Sequence, residues 1–251
     1  MNTEHLYDYI IGIADNSLIL GQRLGELCGH GPTLETDIAG TNIALDLIGQ
    51  TRNYYQYAAR IQGAGMTEDD LAFLRLEKEY RNVLLVEQPN EHFGYVMGRQ
   101  FLFDVYHLMF MQELLNSKDE TLAAIAKKGI KEVSYHKRFS SDWVKRLGDG
   151  TDQSNEKMQE AIDELWAYTD ELFDVTDADQ AMIASGIGVD TPKLKNAYYE
   201  EVSAILKEAK LTVPEHNYFI RGGKNGVHSE HMGYLLTEMQ YMQRTYPNME
   251  W

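Results

Sequence analysis

The residues best suited to chemistry sit in the first 140 positions, and their types point to a two-metal centre inside a helix bundle. Such a site draws one carboxylate from each of two helices and a Glu-x-x-His from each of the other two. The spacing has a physical reason. Residues i and i+3 share a helix face, so carboxylate and imidazole converge on one ion. Carboxylates then bridge and neutralise two cations while each His completes one coordination sphere. The sequence carries an incomplete version. Files spaced 4, 3 and 4 run through Asn42, Asp46, Gly49 and Asn53, through Gln100, Asp104, His107 and Met111, and through Lys128, Glu132, Tyr135 and Phe139, with His136 one step further round. Gly49 and Tyr135 stand where the two histidines belong. The one carboxylate-x-x-His, Asp104-Val-Tyr-His107, falls in a segment that should supply only a carboxylate. Asp46, Asp104, His107, Glu132 and His136 are therefore expected to be degenerate bundle-core positions, a buried polar cluster rather than a diiron site. Lys128, Lys131 or His136 would then pair Glu132, because an unpaired buried charge is costly. A weak mononuclear site using His107 or His136 is the competing reading.

Other candidates are weaker. The first helix offers Asp15, Asn16 and Gln22 as inward polar groups, with no Glu before Glu26. Cys28 lies near His30, but closeness in sequence is not a geometry, and a small residue at a helix end is expected to be simply packed. Arg221-Gly-Gly-Lys-Asn-Gly226 has the composition of a phosphate loop without the Walker spacing, so a turn before the last helix is expected instead. His228 and His231 share metal-ligand spacing, yet no third and fourth ligand stand nearby.

The elements that must position these groups are helical. No proline occurs between Pro32 and Pro89 or between Pro89 and Pro192, and an interior proline costs about 3 kcal/mol, so long helices are permitted. Apolar residues recur at helical spacing at Leu6, Ile10, Ile13, Leu20, Leu24 and Leu27, ahead of a stop at Gly29-His-Gly-Pro32. A second helix is expected over about 34–62, carrying Ile38, Leu45, Ile48 and Tyr55, and a short one from the capping pattern Thr67-Glu-Asp-Asp70 toward Tyr80. Val83-Leu-Leu-Val86 is the only plausible strand and reads better as a packed connection. Further helices are expected over about 91–116, from the capping box at Ser117 to 147, and over 154–173, 192–209 and 228–244, with a turn near 176–184. Short loops within the pairs 1–27/34–62 and 91–116/117–147 make antiparallel neighbours, and 28 residues, Gly63 to Asn90, cross between the pairs. That is an all-α, ferritin-like arrangement: a single domain over 1–251, with its core bundle at about 1–147 and C-terminal helices at about 151–251.

Composition narrows the function classes. The chain has 251 residues, 43% hydrophobic and 25% charged, with 39 acids against 23 Lys and Arg for a net charge of −16. That balance argues against sequence-independent nucleic-acid binding and against docking on anionic lipid. The single Cys fits a reducing compartment. No basic, apolar leader and no run of about 18 apolar residues is seen, so a soluble, cytoplasmic protein with no membrane contact is expected.

Several segments carry a resemblance that covers nearly the whole chain in order. They are Gly25-Glu-Leu-Cys-Gly-His-Gly-Pro32, Asn42-Ile-Ala-Leu-Asp-Leu-Ile-Gly-Gln50, Leu84-Leu-Val-Glu-Gln-Pro-Asn90, Ile130-Lys-Glu-Val-Ser-Tyr-His-Lys-Arg-Phe139, Gly222-Gly-Lys-Asn-Gly-Val-His-Ser-Glu-His-Met-Gly233 and Glu238-Met-Gln-Tyr-Met-Gln-Arg244. Together they resemble the C subunits of bacterial 1,2-phenylacetyl-CoA epoxidases. The resemblance implies a ferritin-like structural subunit of a monooxygenase, without catalytic or cofactor-binding residues of its own. It implies a homologous catalytic A subunit that holds the diiron centre, a small B subunit, and a flavin and iron–sulfur reductase that supplies NADPH electrons for epoxidation with O₂. An autonomous diiron oxidase or oxygenase with atypical ligands, or an iron-storing bundle, are the alternatives that Gly49 and Tyr135 speak against. Tyr7, Tyr9, Ile11, Leu18, Ile19, Tyr54, Tyr55 and Tyr57 give the first two helices more apolar surface than one core stripe needs, which suggests a partner-binding face. The competing reading covers them with the C-terminal helices.

Overall fold

A computed structural model describes residues 3–215, 218–247 and 249, all in helices, short 3₁₀ turns and loops, with no strand among them. Ten α-helices follow in order: α1 Thr3–Gly25, α2 Leu34–Gln62, α3 Glu68–Phe73, α4 Leu84–Glu87, α5 Phe93–Leu114, α6 Glu120–Gly148, α7 Asp152–Leu165, α8 Asp177–Ser185, α9 Thr191–Glu208 and α10 Glu230–Thr245. None is long and apolar enough to cross a membrane.

Local chemistry sets most boundaries. Thr33 starts α2 through a capping box: its hydroxyl accepts from Thr36 N at 3.3 Å, and the Thr36 hydroxyl accepts from Thr33 N at 3.1 Å. Gly63, at φ +71, ends that helix. Thr67 and Asp70 cap α3 as expected, but α3 stops at Phe73 instead of reaching Tyr80, and a 3₁₀ turn at Glu77–Glu79 follows. The cap of α6 is Asp119, not Ser117: Asp119 Oδ1 accepts from Thr121 N at 2.9 Å and Leu122 N at 3.0 Å. The run at 83–86 winds into α4, whose four residues are all buried. α1 ends at Gly25, before the expected stop, and leaves Cys28 exposed rather than packed.

The chain divides into two compact units. Of the described residues, the first holds 3–88, 176–182, 222–247 and 249. Here α1 lies along α2, with α4 and α10 also against α1 and with α3 against α2 and α10. The second holds residues 89–175, 183–215 and 218–221. Its centre is the α5–α6 pair, with α7 and α9 packed on both helices. α5 is apolar nearly all round and buried along almost its whole length, as a helix at the middle of a unit must be.

Two burial patterns correct the sequence reading. Tyr9, Ile11, Leu18, Ile19, Tyr54 and Tyr55 are buried within the chain, and Tyr7 and Tyr57 are half-buried. The extra apolar surface of α1 and α2 is thus largely used internally. Ile38, Leu45 and Ile48, expected to carry the core stripe of α2, are exposed together with Leu34. The core side of α2 is instead Ile43, Ala44, Leu47, Gln50, Thr51, Tyr54, Tyr55 and Ala58.

Candidate functional site

Of the five expected core positions, Asp104, His107 and His136 are buried in the α5–α6 unit. Asp46 and Glu132 are only half-buried, while Gly49, Lys128 and Tyr135 are exposed. The error is one residue, or about 100° of helix rotation. On α2 the buried file is Ile43, Leu47, Gln50 and Tyr54, and on α6 it is Gly129, Val133, His136 and Ser140. Gly49 and Tyr135 therefore do not occupy the inward histidine positions. In the true files the carboxylate-x-x-His places are taken by Leu47 and Gln50 on α2 and by Val133 and His136 on α6. Lys128 and Lys131 are exposed, so neither is a buried partner for Glu132.

Within the α5–α6 unit, Gln100 Nε2 donates to Asp104 Oδ1 at 2.7 Å, and Ser140 Oγ lies 2.8 Å from Asp104 Oδ2. Burial lifts the Asp104 carboxyl to about 8, against the pull of those two hydrogen bonds. The Ser140 hydroxyl, which donates to Asp104 Oδ2, also lies 3.3 Å from the Lys137 carbonyl. Burial, and then the neighbouring His136, hold His107 down at about 3. Its ring packs against Phe103 at 5.1 Å between centroids, and its Nδ1 meets no protein partner. The cluster offers one carboxyl and two imidazoles, fewer oxygen ligands than two adjacent cations require. Among the described residues no three His, Cys, Asp or Glu side chains are placed to hold a metal ion.

The first unit contains two ionic centres. Asp15, fully buried on α1, accepts from Tyr55 Oη at 2.5 Å, from Arg75 Nη1 and Nη2 at 3.0 and 2.5 Å, and from Arg81 N at 2.7 Å. The Arg75 guanidinium also lies 4.1 Å from the Tyr80 ring centroid. With every carboxylate oxygen engaged, this is a bidentate pair that fixes the segment after α3 onto α1. The second centre is Glu87, also fully buried. Its Oε2 meets His228 Nδ1 at 2.8 Å and Asn82 Nδ2 at 3.0 Å, and its Oε1 accepts from Ser229 N at 2.6 Å. The far nitrogen of His228 faces the Tyr80 carbonyl at 3.2 Å. Arg23 adds hydrogen bonds to the Glu87 carbonyl at 3.0 and 2.8 Å. His228 is thus a carboxylate partner rather than a metal ligand. Asp15 was among the inward polar candidates of the first helix, but Arg75 and Glu87 carry no signal visible in spacing, because their partners lie about 60 and 140 residues away.

The glycine-rich segment 222–226 also has a packing role. A Cβ on Gly223 would lie 2.1 Å from the Asn82 carbonyl oxygen, and one on Gly226, at φ +77, would lie 2.3 Å from the Lys78 carbonyl oxygen. The loop is glycine because backbone runs directly over backbone.

These features define an all-helical protein whose buried polar groups tie helices together. Residues 1–251 match the family of phenylacetic acid catabolic proteins. The chain is 50% identical over 243 residues to the C subunit of the 1,2-phenylacetyl-CoA epoxidase of Escherichia coli (strain K12), a match that covers 97% of this chain and 98% of the relative. It belongs to the phenylacetic acid catabolic protein family, and its fold is the ferritin-like, all-α fold expected from the sequence.

Proposed function

We propose that this chain is a non-catalytic structural subunit of a multicomponent phenylacetyl-CoA ring epoxidase in the cytoplasm, acting by holding a catalytic subunit that carries the diiron centre. The observation that carries the reading is the donor set of the buried helix files. The buried file of α2 carries Leu47 and Gln50 instead of a carboxylate-x-x-His; in the other unit the buried file of α6 carries Val133 ahead of His136, and Asp104 on α5 is committed to Ser140 and Gln100. These residues do not fit a diiron group, so no chemical step is assigned to this chain. The naming of the E. coli relative as one subunit of an epoxidase supports assembly with other chains. A small further subunit and an electron-supplying reductase complete the proposed assembly.

The experiment compares the isolated chain with its mixture with the catalytic subunit, each supplied with reductase, NADPH, O₂ and phenylacetyl-CoA. Epoxide should form only when the catalytic subunit is present, and the two chains should co-elute on size exclusion, with an interface above about 1,000 Å². Near-stoichiometric iron and turnover by the isolated chain would establish instead an autonomous oxygenase using Asp104, His107 and His136.

A further inference from the structure

We propose that the outward stripe of α2 is a docking surface for a different helical chain, one that presents an apolar stripe bordered by Lys and Arg; this rests on the subunit reading above. Leu34, Leu45, Ile38 and Ile48 are 71%, 61%, 52% and 37% exposed. At 100° per residue they fall within about 80° of the circumference, opposite the buried Ile43 and Leu47, and run for about 21 Å along the helix. A surface helix normally has one apolar face, and the first half of α2 has two. Large apolar groups left in water as a contiguous stripe mark an interaction surface.

Gly49 adds an independent observation. It sits on the exposed side beside Leu45 and Ile48, and a Cβ there would meet nothing within 4 Å. Glycine inside a helix weakens it, and packing within the chain gives no reason for one here. A second backbone approaching closely would give one.

Charge selects the occupant. Glu35 and Asp46 border the stripe on one side and Asp37, whose Oδ1 also accepts from Gly29 N and Gly31 N, on the other; Arg52, in line with the stripe, is paired with Glu68, and the chain carries a net charge of −16. A second copy would set these acids against themselves, and two bodies of like charge repel. A partner with basic residues flanking its apolar helix face complements both features.

The test uses the full chain and the proposed catalytic subunit, with affinity measured by calorimetry at low and moderate salt. The double variant Ile38→Glu/Leu45→Glu should lose affinity by about 100-fold or more while the isolated variant melts no lower than wild type. The control Tyr234→Glu/Tyr241→Glu alters the exposed aromatic face of α10 and should bind within about threefold of wild type. Glu35→Lys/Asp46→Lys should weaken binding and flatten its salt dependence. Normal binding by the α2 variant, with loss in the α10 variant, overturns the assignment of the stripe and leaves the subunit reading standing. If the wild-type chains do not bind each other, the subunit reading itself falls. A wild-type homodimer that the α2 variant converts to monomer overturns the choice of occupant in favour of a second copy.

Discussion

Asp104 and His228 are both buried ionisable groups, and their surroundings set opposite charge states. Asp104 has neighbours that can share its proton, and burial keeps it protonated to about pH 8. His228 faces acceptors on both ring nitrogens, the Glu87 carboxylate and the Tyr80 carbonyl, and only the doubly protonated imidazolium carries two donors. Burial opposes that charge, but the Glu87 hydrogen bond and charge, the Tyr80 carbonyl and Glu77 outweigh it and raise the pKa. Both groups bind protons more tightly when folded, so both lose stability as pH rises, over different windows. For Asp104 the loss runs from about pH 4, where the unfolded carboxyl titrates, to about pH 8, and amounts to on the order of 5 kcal/mol. Asp104→Asn should therefore gain stability relative to wild type as pH rises, levelling off above about 8. Gln100 can turn its own amide to accept from the amide that this substitution introduces. A gap independent of pH between 5 and 8, in denaturant titrations at about half-unit steps, would refute the protonated state. For His228 the contribution is complete below about 6.5 and fades through the raised pKa. His228→Gln should be clearly less stable than wild type near pH 6, with the gap closing as pH rises through the raised pKa.

At the level of elements, the same side chain costs or stabilises according to what runs past its helix. Gly223→Ala should destabilise by about 3 kcal/mol, since the added carbon meets the Asn82 carbonyl oxygen. Gly49→Ala should stabilise the isolated chain by about 1 kcal/mol, since it fills open space on a helix. Thermal melts of the two variants, shifted in opposite directions, check both. Helix existence was legible because caps and proline-free runs are local signals: Thr67 with Asp70 and Gly63 mark ends within a few residues. Rotation about the helix axis was not. Reading Asp46 and Glu132 as inward requires knowing which side meets neighbours, and α2 has apolar residues on two opposite sides. On α6 the polar file at Lys128, Glu132 and Tyr135 lies beside the buried one through Val133 and His136, so a metal-site template drew the choice to the wrong file. The ionic centres of the first unit stayed hidden for another reason, the long separations between their members along the chain.

For the whole molecule, the large negative charge predicts self-repulsion that is strongest in dilute buffer. The first unit is also discontinuous, and closing it requires residues 222–245 to come back to the segment 73–88. Gln240 Nε2 reaches the Arg75 carbonyl at 3.0 Å and Tyr80 Oη at 2.9 Å, Arg244 Nη2 reaches the Arg75 carbonyl at 2.9 Å, and His228 closes on Glu87. A chain ending after Arg221 should accordingly bind hydrophobic dye and lose the cooperative melt of the first unit, while the full-length protein does neither; a two-state melt of that unit in the truncated chain would count against the closure. This tie has a consequence in time. Chains emerge from the ribosome at about 5–20 residues per second, so Glu87 leaves the tunnel on the order of ten seconds before His228 is made. During that interval a carboxylate destined for complete burial must stay hydrated, and the apolar residues around it stay open to water with it. The nascent N-terminal helices are therefore client surface for chaperones throughout synthesis of the middle of the chain. Slow codons between positions 90 and 220 should lower the yield of folded protein more than slow codons after the last helix has begun.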